Sequence, residues 1–556
     1  MSFFYFLIER NAVKSSAQKI KERAMAAKFL LKELSRYPIG TFADIVYRNA
    51  LLYPNDEAFV YGDERITFAQ FNARVNSLIV NLTKLGVKKG ELLGITAWNC
   101  AEYMYVEAAA MKGGFIASPY NPKLSRNEIL NLINYSEATV VFVGPENIDV
   151  ISSLRAEDRI PTVKHFIAME KPAKDFIFMG DLIKDEDAEE PNVTVGEDDP
   201  FIVFYTSGTT GLPKGAVFTN KRRIENHRMK ALEMGVKLGS RHLTIIPLFH
   251  TGGDSHTWIM FYMGGCNVML KERSFNPTAL LETIQKEKIT DVHLVPTQIV
   301  MLINQPDVSK YDLSTLKHIF YAGSAMPTEV LRKAVQIFGP VFQQGYGLTE
   351  TGPMSCGMYE RDHDVLDKSP EEQEVLKSCG RPCIGAHVRI VDDKGYDLPP
   401  RVPGEIIIMH KSIMKEYWHK PVETASTIID GWVHSGDVGF YDEKGFIYIV
   451  DRKSDMIITG GENVYPREIE EILYRIPDVV EAAVIGIPDP VWVEKVHAVV
   501  VKKKGSELSE KDVADFCKDK LAGFKRPKSI QFIDELPKNP QGKILKRELR
   551  KAFAEK

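Results

Sequence analysis

Apolar runs alternate with amphipathic stretches along most of the chain. Short runs that are apolar throughout predict buried strands, whereas apolar residues spaced three and four apart predict helices. Strand-like runs occupy residues 92–96, 139–143 and 291–295, and helix-like stretches occupy 69–85, 126–135 and 328–338. This alternation predicts an α/β fold of layered subdomains with partly parallel sheets.

The pattern changes towards the C-terminus. Short β-like runs separated by Gly and Pro turns indicate a β-rich subdomain over about residues 385–452. Beyond it, strand-like and helix-like runs alternate in a stretch of about 100 residues, which is enough for a separate small α+β domain. We therefore expect an N-terminal domain over 39–452 and a C-terminal domain over 453–556.

Residues 1–38 form a distinct N-terminal extension. Its small and apolar residues fall on one helical face in steps of three and four: Ala17, Ile20, Ala24, Ala27, Leu31 and Leu34. The rest of residues 1–36 is rich in Lys and Arg, so this helix either packs on its own domain or contacts an anionic membrane or a partner. The apolar run 3–8 is too short for a membrane span, and it lacks the basic lead of a signal peptide.

Composition narrows the class of protein. Of the 556 residues, 71 are basic and 75 acidic, giving a net charge of −4, so the charge gives no argument for binding nucleic acid. The six cysteines are few and scattered, which favours a reducing compartment over a secreted disulfide framework. We expect a cytoplasmic protein, with peripheral contact to the inner face of the membrane left open by the N-terminal extension.

The strongest local motif is a loop rich in glycine and hydroxyl groups at residues 205–215. It follows a buried strand-like run, and its three glycines, two of which precede Lys214, allow the backbone to approach an anion closely. Hydroxyls, backbone amides and the Lys214 cation together make a phosphate cradle. The spacing differs from that of a Walker loop, because Gly215 follows the lysine.

This loop resembles the signature loop of the adenylate-forming superfamily, which includes acyl-CoA synthetases, peptide-synthetase adenylation domains and firefly luciferase. Further motifs occur in the family's order from about residue 42 to 549. The resemblance implies a small C-terminal domain that is mobile. It also implies ATP binding by loop residues: Thr206, Ser207, Gly208, Thr209, Thr210, Gly211 and Lys214.

A second motif lies at residues 344–351 and presents an aromatic ring, a hydroxyl and a carboxylate. An ATP site needs such groups, to stack on adenine and to hold Mg²⁺ against the phosphates. By resemblance, Tyr346 and Gly347 flank the base, Thr349 binds the α-phosphate and Glu350 binds the metal. Small residues upstream line the adenine and acyl sites: Gly323, Ser324 and Ala325.

The resemblance assigns further roles towards the C-terminus. Asp437 accepts hydrogen bonds from the ribose hydroxyls, a task that suits a carboxylate because a diol offers two donors. Arg452 also contacts the ribose. The hinge of the mobile domain falls at Lys453 and Ser454, and a loop that lines the pantetheine tunnel contains Gly460, Gly461 and Glu462.

The last motif projects Lys543 from a turn at Gly542. A lysine cation stabilises the charge that develops as a carboxylate attacks an α-phosphate. In the family the equivalent lysine serves adenylation. We therefore expect Thr206, Thr349, Glu350 and Lys543 to be the catalytic residues.

Residues on the acyl side indicate the size of the acid. The predicted acyl pocket comprises His250, Val295, Thr297, Gly323, Gly345 and Gly347. We assign His250 no general-base role, since a carboxylate is already ionised at neutral pH. Acetate-activating relatives have tryptophan where this chain has Gly347, so we expect a larger acid, either a medium- or long-chain fatty acid or an aromatic acid.

The sequence therefore predicts an AMP-forming acid:CoA ligase that uses ATP, Mg²⁺ and coenzyme A. No carrier-protein domain is fused at the end, which argues against a peptide-synthetase role. Two alternatives remain: transfer of the acyl group to a separate carrier protein, and a non-catalytic acyl or nucleotide binder on the same fold. The oligomeric state does not follow from the sequence.

Overall fold

The computed structural model of the chain describes residues 25, 28, 30 and 32–554, apart from 186–187, 207–212, 324–325, 453–454, 460–461, 519 and 539–543. Several predicted site residues lie outside the described residues: Ser207, Gly208, Thr209, Thr210, Gly211, Ser324, Ala325, Lys453, Ser454, Gly460, Gly461 and Lys543. Their roles therefore stay predictions from the sequence.

The chain divides into two compact units. The first comprises the chain up to Pro122, Arg126–Val203 and Val217–Ile224, and the second comprises Lys123–Ser125, Phe204–Ala216 and Glu225–Lys556. The domain boundary predicted at residue 453 falls inside the second unit and stays a prediction.

The first unit consists of helices around a mainly parallel sheet. Its helices are α1 (Phe42–Leu52), α2 (Phe68–Lys84), α3 (Ala101–Gly113), α4 (Arg126–Ser136), α5 (Ile148–Ala156) and α6 (Met179–Leu182). Its strands are β1 (Glu57–Tyr61), β2 (Glu64–Thr67), β3 (Leu92–Thr96), β4 (Ile116–Tyr120), β5 (Val140–Val143), β6 (His165–Ala168) and β7 (Ile177–Phe178). Two strands start or end in this unit, β8 (Pro200–Thr206) and β9 (Lys214–Thr219), and α7 (Asn220–Met234) follows them.

The parallel sheet has the order β9-β8-β4-β3-β5-β6-β7, and β1 and β2 pair as an antiparallel hairpin. Strands β3, β4 and β5 are buried along their whole length, as expected for parallel strands covered on both faces. Helix α2 begins with a capping box, in which Thr67 accepts from the Gln70 amide and Gln70 accepts from the Thr67 amide.

A buried ion pair lies in this first unit. The Lys112 side chain is fully buried, and its Nζ lies 2.6 Å from a carboxylate oxygen of Glu190. The ammonium also donates to the side-chain oxygens of Asn72 and Asn76, and the Tyr37 hydroxyl donates to Glu190 at 2.6 Å. These contacts fix α2, α3 and the segments around residues 37 and 190 together.

The second unit contains the largest sheet. Its helices are α8 (Thr251–Met263), α9 (Pro277–Glu287), α10 (Pro296–Ile303), α11 (Thr328–Phe338), α12 (Glu360–His363) and α13 (Pro370–Gln373). Its strands are β10 (Arg241–Thr244), β11 (Cys266–Met269), β12 (Asp291–Leu294), β13 (His318–Tyr321), β14 (Phe342–Leu348), β15 (Gly352–Met358) and β16 (Arg381–Pro382).

The order in this sheet is β16-β15-β14-β13-β12-β10-β11. Neighbouring strands from β11 to β14 are parallel, whereas β15 and β16 add as antiparallel strands. The carboxyl ends of the parallel strands therefore meet at one edge, which is where ligands bind in open α/β sheets.

An antiparallel region follows. It contains β17 (His387–Val391), β18 (Gly404–Met409), β19 (Glu416–Tyr417), α14 (Pro421–Thr427), β20 (Ile428–Ile429), β21 (Trp432–Tyr441) and β22 (Ile447–Arg452). Strands β17, β18, β21 and β20 are neighbours in that order, and β22 pairs with β21. This is the predicted β-rich subdomain, which runs from 387 to 452 against an expected 385–452.

The C-terminal part of the second unit is α+β, as predicted. It contains β23 (Ile457–Thr459), β24 (Glu462–Val464), α15 (Pro466–Leu473), β25 (Val479–Asp489), β26 (Val493–Lys502), α16 (Glu510–Lys518), β27 (Ser529–Phe532) and α17 (Lys546–Ala554). Apolar side chains of β25, β26, α15 and α16 make up its own buried core.

Only part of the predicted N-terminal helix is described. Met25, Lys28, Leu30, Lys32 and Glu33 are helical, and Met25 is exposed. Within the described part of the chain, every helix is too short or too polar to cross a membrane. All six cysteines are buried, and each is a thiol outside any disulfide.

We expect Lys112→Met to lower the free energy of unfolding by roughly 3–5 kcal/mol, because it leaves the Glu190 carboxylate without its buried cation. Urea unfolding followed by fluorescence measures the change. The matched control is Arg401→Met, which removes an exposed pair with Glu443 and should have a much smaller effect on the free energy of unfolding. Equal effects of the two variants would contradict the role given to the buried pair.

Candidate active site

The two ends of the predicted phosphate loop lie side by side. Strand β8 is buried over Phe201–Phe204 and ends at Thr206, and β9 begins at Lys214. The Thr206 hydroxyl donates to the Lys214 carbonyl oxygen at 3.5 Å. The residues that carry this hydroxyl and the Lys214 ammonium thus lie side by side where the loop leaves and rejoins the sheet.

The motif at 344–351 forms a hairpin turn between β14 and β15. The Thr351 hydroxyl accepts from the Leu348 amide at 3.0 Å, and the Gly352 amide donates to the Thr349 carbonyl at 3.1 Å. The Glu350 carbonyl accepts from the Met414 amide at 2.7 Å. The turn leaves the Thr349 and Glu350 side chains partly exposed, as a phosphate and metal site requires.

Three residues predicted to bind adenosine form one chain of contacts. The Tyr346 hydroxyl donates to one carboxylate oxygen of Asp437 at 2.7 Å, and Arg452 Nε lies 3.2 Å from the other. Burial, with Asp437 beside it, holds the pKa of Tyr346 well above its usual value, so the phenol remains a donor. Asp437 is 4% exposed while Arg452 is 47% exposed, so the arginine is the member accessible to a ligand.

The carboxylate of Glu350 fits a magnesium ion that is held mainly by phosphate. Among the described residues, no cluster of three or more His, Cys, Asp or Glu side chains could hold a metal by itself. Magnesium is commonly bound through one or two carboxylates plus substrate phosphates rather than by a cage of protein ligands. A single hard oxygen donor beside a phosphate loop matches that requirement.

Sequence reasoning missed Tyr417. Its hydroxyl donates to a carboxylate oxygen of Glu350 at 2.6 Å, and Lys214 Nζ lies 5.0 Å from its ring centroid. Tyr417 therefore contacts both the predicted metal ligand and the predicted phosphate ligand. No local pattern marks it, because Glu350 lies 67 residues earlier in the chain.

Residues of the predicted acyl pocket lie beyond the carboxyl ends of neighbouring strands. His250 follows β10, Val295 follows β12 and Gly323 follows β13. In the sheet, β12 lies between β10 and β13. At Gly323, where φ is +88°, an added Cβ would lie 3.8 Å from the Val295 side chain. Thr297 is in the first turn of α10, whose N-cap is Val295.

His250 is the N-cap of α8. Its Nδ1 accepts from the Gly252 amide at 3.3 Å, so that ring nitrogen carries no proton. The ring is partly exposed, and it does not behave as a fully buried core histidine. The place of His250 in the acyl pocket, without a general-base role, stays a prediction.

The structural reason for Gly347 differs from the one inferred from the sequence. A Cβ at Gly347 would lie 2.7 Å from the Gly352 carbonyl oxygen and 2.8 Å from the Met354 amide nitrogen. Backbone of β15, rather than open pocket, fills that direction. At Gly345 a Cβ would lie 2.3 Å from the Phe320 ring. Both glycines are closely packed by neighbouring groups, and their place in the acyl pocket stays a prediction.

We expect Gly347→Ala to lower the unfolding midpoint and to reduce activity, because β15 must move to admit the methyl group; the cost is roughly 1–3 kcal/mol. Differential scanning calorimetry measures the shift. Gly523→Ala is the control, since nothing lies within 4 Å of a Cβ there. Equal tolerance of the two substitutions would contradict the close backbone contact.

Comparison with known proteins agrees with this geometry. The family described as AMP-binding enzyme matches residues 46–418, and its C-terminal domain matches residues 468–543. The chain is 34% identical over 508 residues to a feruloyl-CoA synthase of Amycolatopsis sp., covering 91% of this chain and 98% of the relative. It is 33% identical over 510 residues to the long-chain-fatty-acid–CoA ligase FadD13 of Mycobacterium tuberculosis, covering 91% and 97%.

A solved structure is also similar, that of the anthranilate CoA ligase AuaEII in complex with anthranoyl-AMP. It has a TM-score of 0.84 and 28% identity, and the match covers 93% of this chain and 98% of that one. Together these matches span nearly the whole chain. The chain belongs to the AMP-binding enzyme family and is an acyl-CoA synthetase of the adenylate-forming superfamily.

Proposed function

We propose that the protein activates a fatty or aromatic acid larger than acetate as an acyl-AMP and transfers the acyl group to coenzyme A. The observation that carries the proposal is the connected group Tyr346, Asp437 and Arg452, which lies in the same unit as the Glu350 turn. A ligand with a purine nucleoside and a metal-bound phosphate requires the nucleoside-binding residues and the metal-binding carboxylate to lie in one unit. The proposal assigns the site to Mg²⁺·ATP.

On this proposal, the charge of each side chain determines which part of Mg²⁺·ATP it contacts during adenylation. Lys214 and the hydroxyl of Thr206 bind the β- and γ-phosphates, and Glu350 holds the magnesium ion, which supplies neutralisation of phosphate charge when bound. Thr349 donates to the α-phosphate. Lys543 stabilises the charge that develops as a carboxylate oxygen bonds to the α-phosphorus and the bond to pyrophosphate breaks.

Transfer to the thiol follows. The CoA thiolate bonds to the acyl carbon, and the bond from that carbon to the AMP oxygen breaks. We assign the hinge to Lys453 and Ser454 and the pantetheine contact to Gly460, Gly461 and Glu462. On this proposal the C-terminal domain rotates between the two steps, withdrawing Lys543 and presenting the glycine loop.

The class of acid is supported by relatives rather than by Gly347. A feruloyl-CoA synthase, a long-chain fatty acid ligase and an anthranilate ligase all match along most of the chain. Ferulate, a long-chain fatty acid and anthranilate are all bulkier than acetate. We propose that the substrate is an acid of this size. We also propose that the enzyme is cytoplasmic.

AMP release with ATP, Mg²⁺, CoA and a graded panel of aliphatic and aromatic acids tests the function. We expect the rate to depend on acid and to be greatest with a substrate of six or more carbon atoms, on the order of tenfold or more above acetate, a difference of about 1.4 kcal/mol. Activity limited to acetate and propionate contradicts the proposed acid.

Omission of CoA from the same assay separates the acceptors. Acid-dependent pyrophosphate release should continue for about one turnover and then stop, because acyl-AMP remains bound. Full turnover without CoA but with a carrier protein would favour a carrier-protein ligase. Absence of AMP release with every acid would favour a non-catalytic binder.

We expect Lys543→Ala to reduce acyl-AMP formation by roughly 10²–10³-fold, as loss of one group that stabilises transition-state charge does. Thioester formation from supplied acyl-AMP should change less than about threefold. Lys551→Ala is the control, because that lysine is 65% exposed and pairs with Glu548 on the surface of α17. Equal loss of both half-reactions would contradict the assigned role.

A further inference from the structure

Tyr417 links the turn that carries Glu350 to the strand that carries Lys214. Its side chain is 3% exposed. The hydroxyl donates to Glu350 at 2.6 Å, and the face of the ring has Lys214 Nζ at 5.0 Å from its centroid. Burial is the main cause that raises the pKa of Tyr417 above its usual value, and the negative charge of Glu350 is the next. The hydroxyl therefore keeps its proton at neutral pH.

The backbone around Tyr417 reinforces both contacts. The Met414 amide donates to the Glu350 carbonyl at 2.7 Å, and the Trp418 amide donates to the Gly215 carbonyl at 2.7 Å. The Tyr417 amide itself donates to the Thr424 hydroxyl at 2.9 Å. Residues 414–418 thus bond to the turn that carries Glu350 and to the strand that carries Lys214.

We propose that Tyr417 is a positioning residue for Mg²⁺·ATP, which aims the Glu350 carboxylate through its hydroxyl and holds the Lys214 ammonium through its ring. This inference rests on the proposed function. Because the hydroxyl engages one oxygen of Glu350, the carboxylate is fixed in rotation and its other oxygen is left for a metal ion. The ring attracts the ammonium without neutralising it, so the cation remains available to phosphate.

The two parts of the side chain make separable predictions. Tyr417→Phe removes only the hydroxyl, so we expect the Mg²⁺ concentration for half-maximal binding of a non-hydrolysable ATP analogue to rise by roughly tenfold, the equivalent of about 1.4 kcal/mol. The affinity for the analogue without Mg²⁺ should change less than about twofold. Tyr417→Leu also removes the ring and should weaken binding of the analogue in both conditions, by a further factor of roughly three to tenfold.

The measurement is isothermal titration calorimetry of the full chain with the analogue over a range of Mg²⁺ concentrations. Tyr441→Phe is the matched control, because that hydroxyl also donates one hydrogen bond, to the Leu398 carbonyl at 3.0 Å, away from the site. It should leave both titrations unchanged. The KM for the acid should be the same in Tyr417→Phe as in the native protein.

A double-mutant cycle with Glu350→Gln keeps the test decisive if Tyr417→Phe also lowers the melting temperature. Positioning through Glu350 predicts that Tyr417→Phe has little further effect on Mg²⁺ dependence once the carboxylate is gone. Additive effects, or an Mg²⁺ dependence for Tyr417→Phe equal to that of Tyr441→Phe, overturn the inference. A native protein that neither binds the analogue nor releases AMP refutes the proposed function itself.

Discussion

The close contact of two backbones at the β14–β15 hairpin determines where the functional side chains lie. Gly347 on β14 lies so close to the backbone of Gly352–Met354 that no Cβ fits between them. The tight turn that results is fixed by the Thr351 hydroxyl, and it leaves Thr349 and Glu350 partly exposed at the end of the sheet. A wider hairpin would move Glu350 away from residues 414–418 and from Lys214.

Charge explains the remaining arrangement. A triphosphate and a carboxylate substrate are both anions, so the site must hold cations and donors without letting its own acidic groups neutralise them. Asp437 is satisfied by Tyr346 and Arg452, and Glu350 by Tyr417, while Lys214 rests on an aromatic face. Neutral phenols thus hold the acidic groups in fixed orientations, which costs less reorganisation when the ligand binds.

Local sequence patterns predicted the elements well where the signal is local. Helix α11 occupies the predicted residues 328–338, and β3 the predicted residues 92–96, because amphipathic spacing and a wholly apolar run are each contained in one segment. The β-rich subdomain was also recognisable from its regular turns.

Contacts between distant segments were not predictable in the same way. The resemblance to a family identified Asp437 and Arg452, but nothing local predicts that Tyr346 bonds to a residue 91 positions later. Tyr417 was missed for the same reason. Gly347 was recognised as informative, but the sequence shows only that a side chain is absent and cannot show that backbone occupies its place.

In the proposed reaction, a carboxylate oxygen of the substrate attacks the α-phosphorus of ATP. Incubation of an acid labelled with ¹⁸O in its carboxylate with ATP, Mg²⁺ and CoA tests it most directly, followed by mass spectrometry of the nucleotide and phosphate products. We expect one labelled oxygen to appear in AMP, because the carboxylate oxygen that bonds to the α-phosphorus leaves with AMP. Formation of ADP, with the label in inorganic phosphate and none in AMP, would contradict the account.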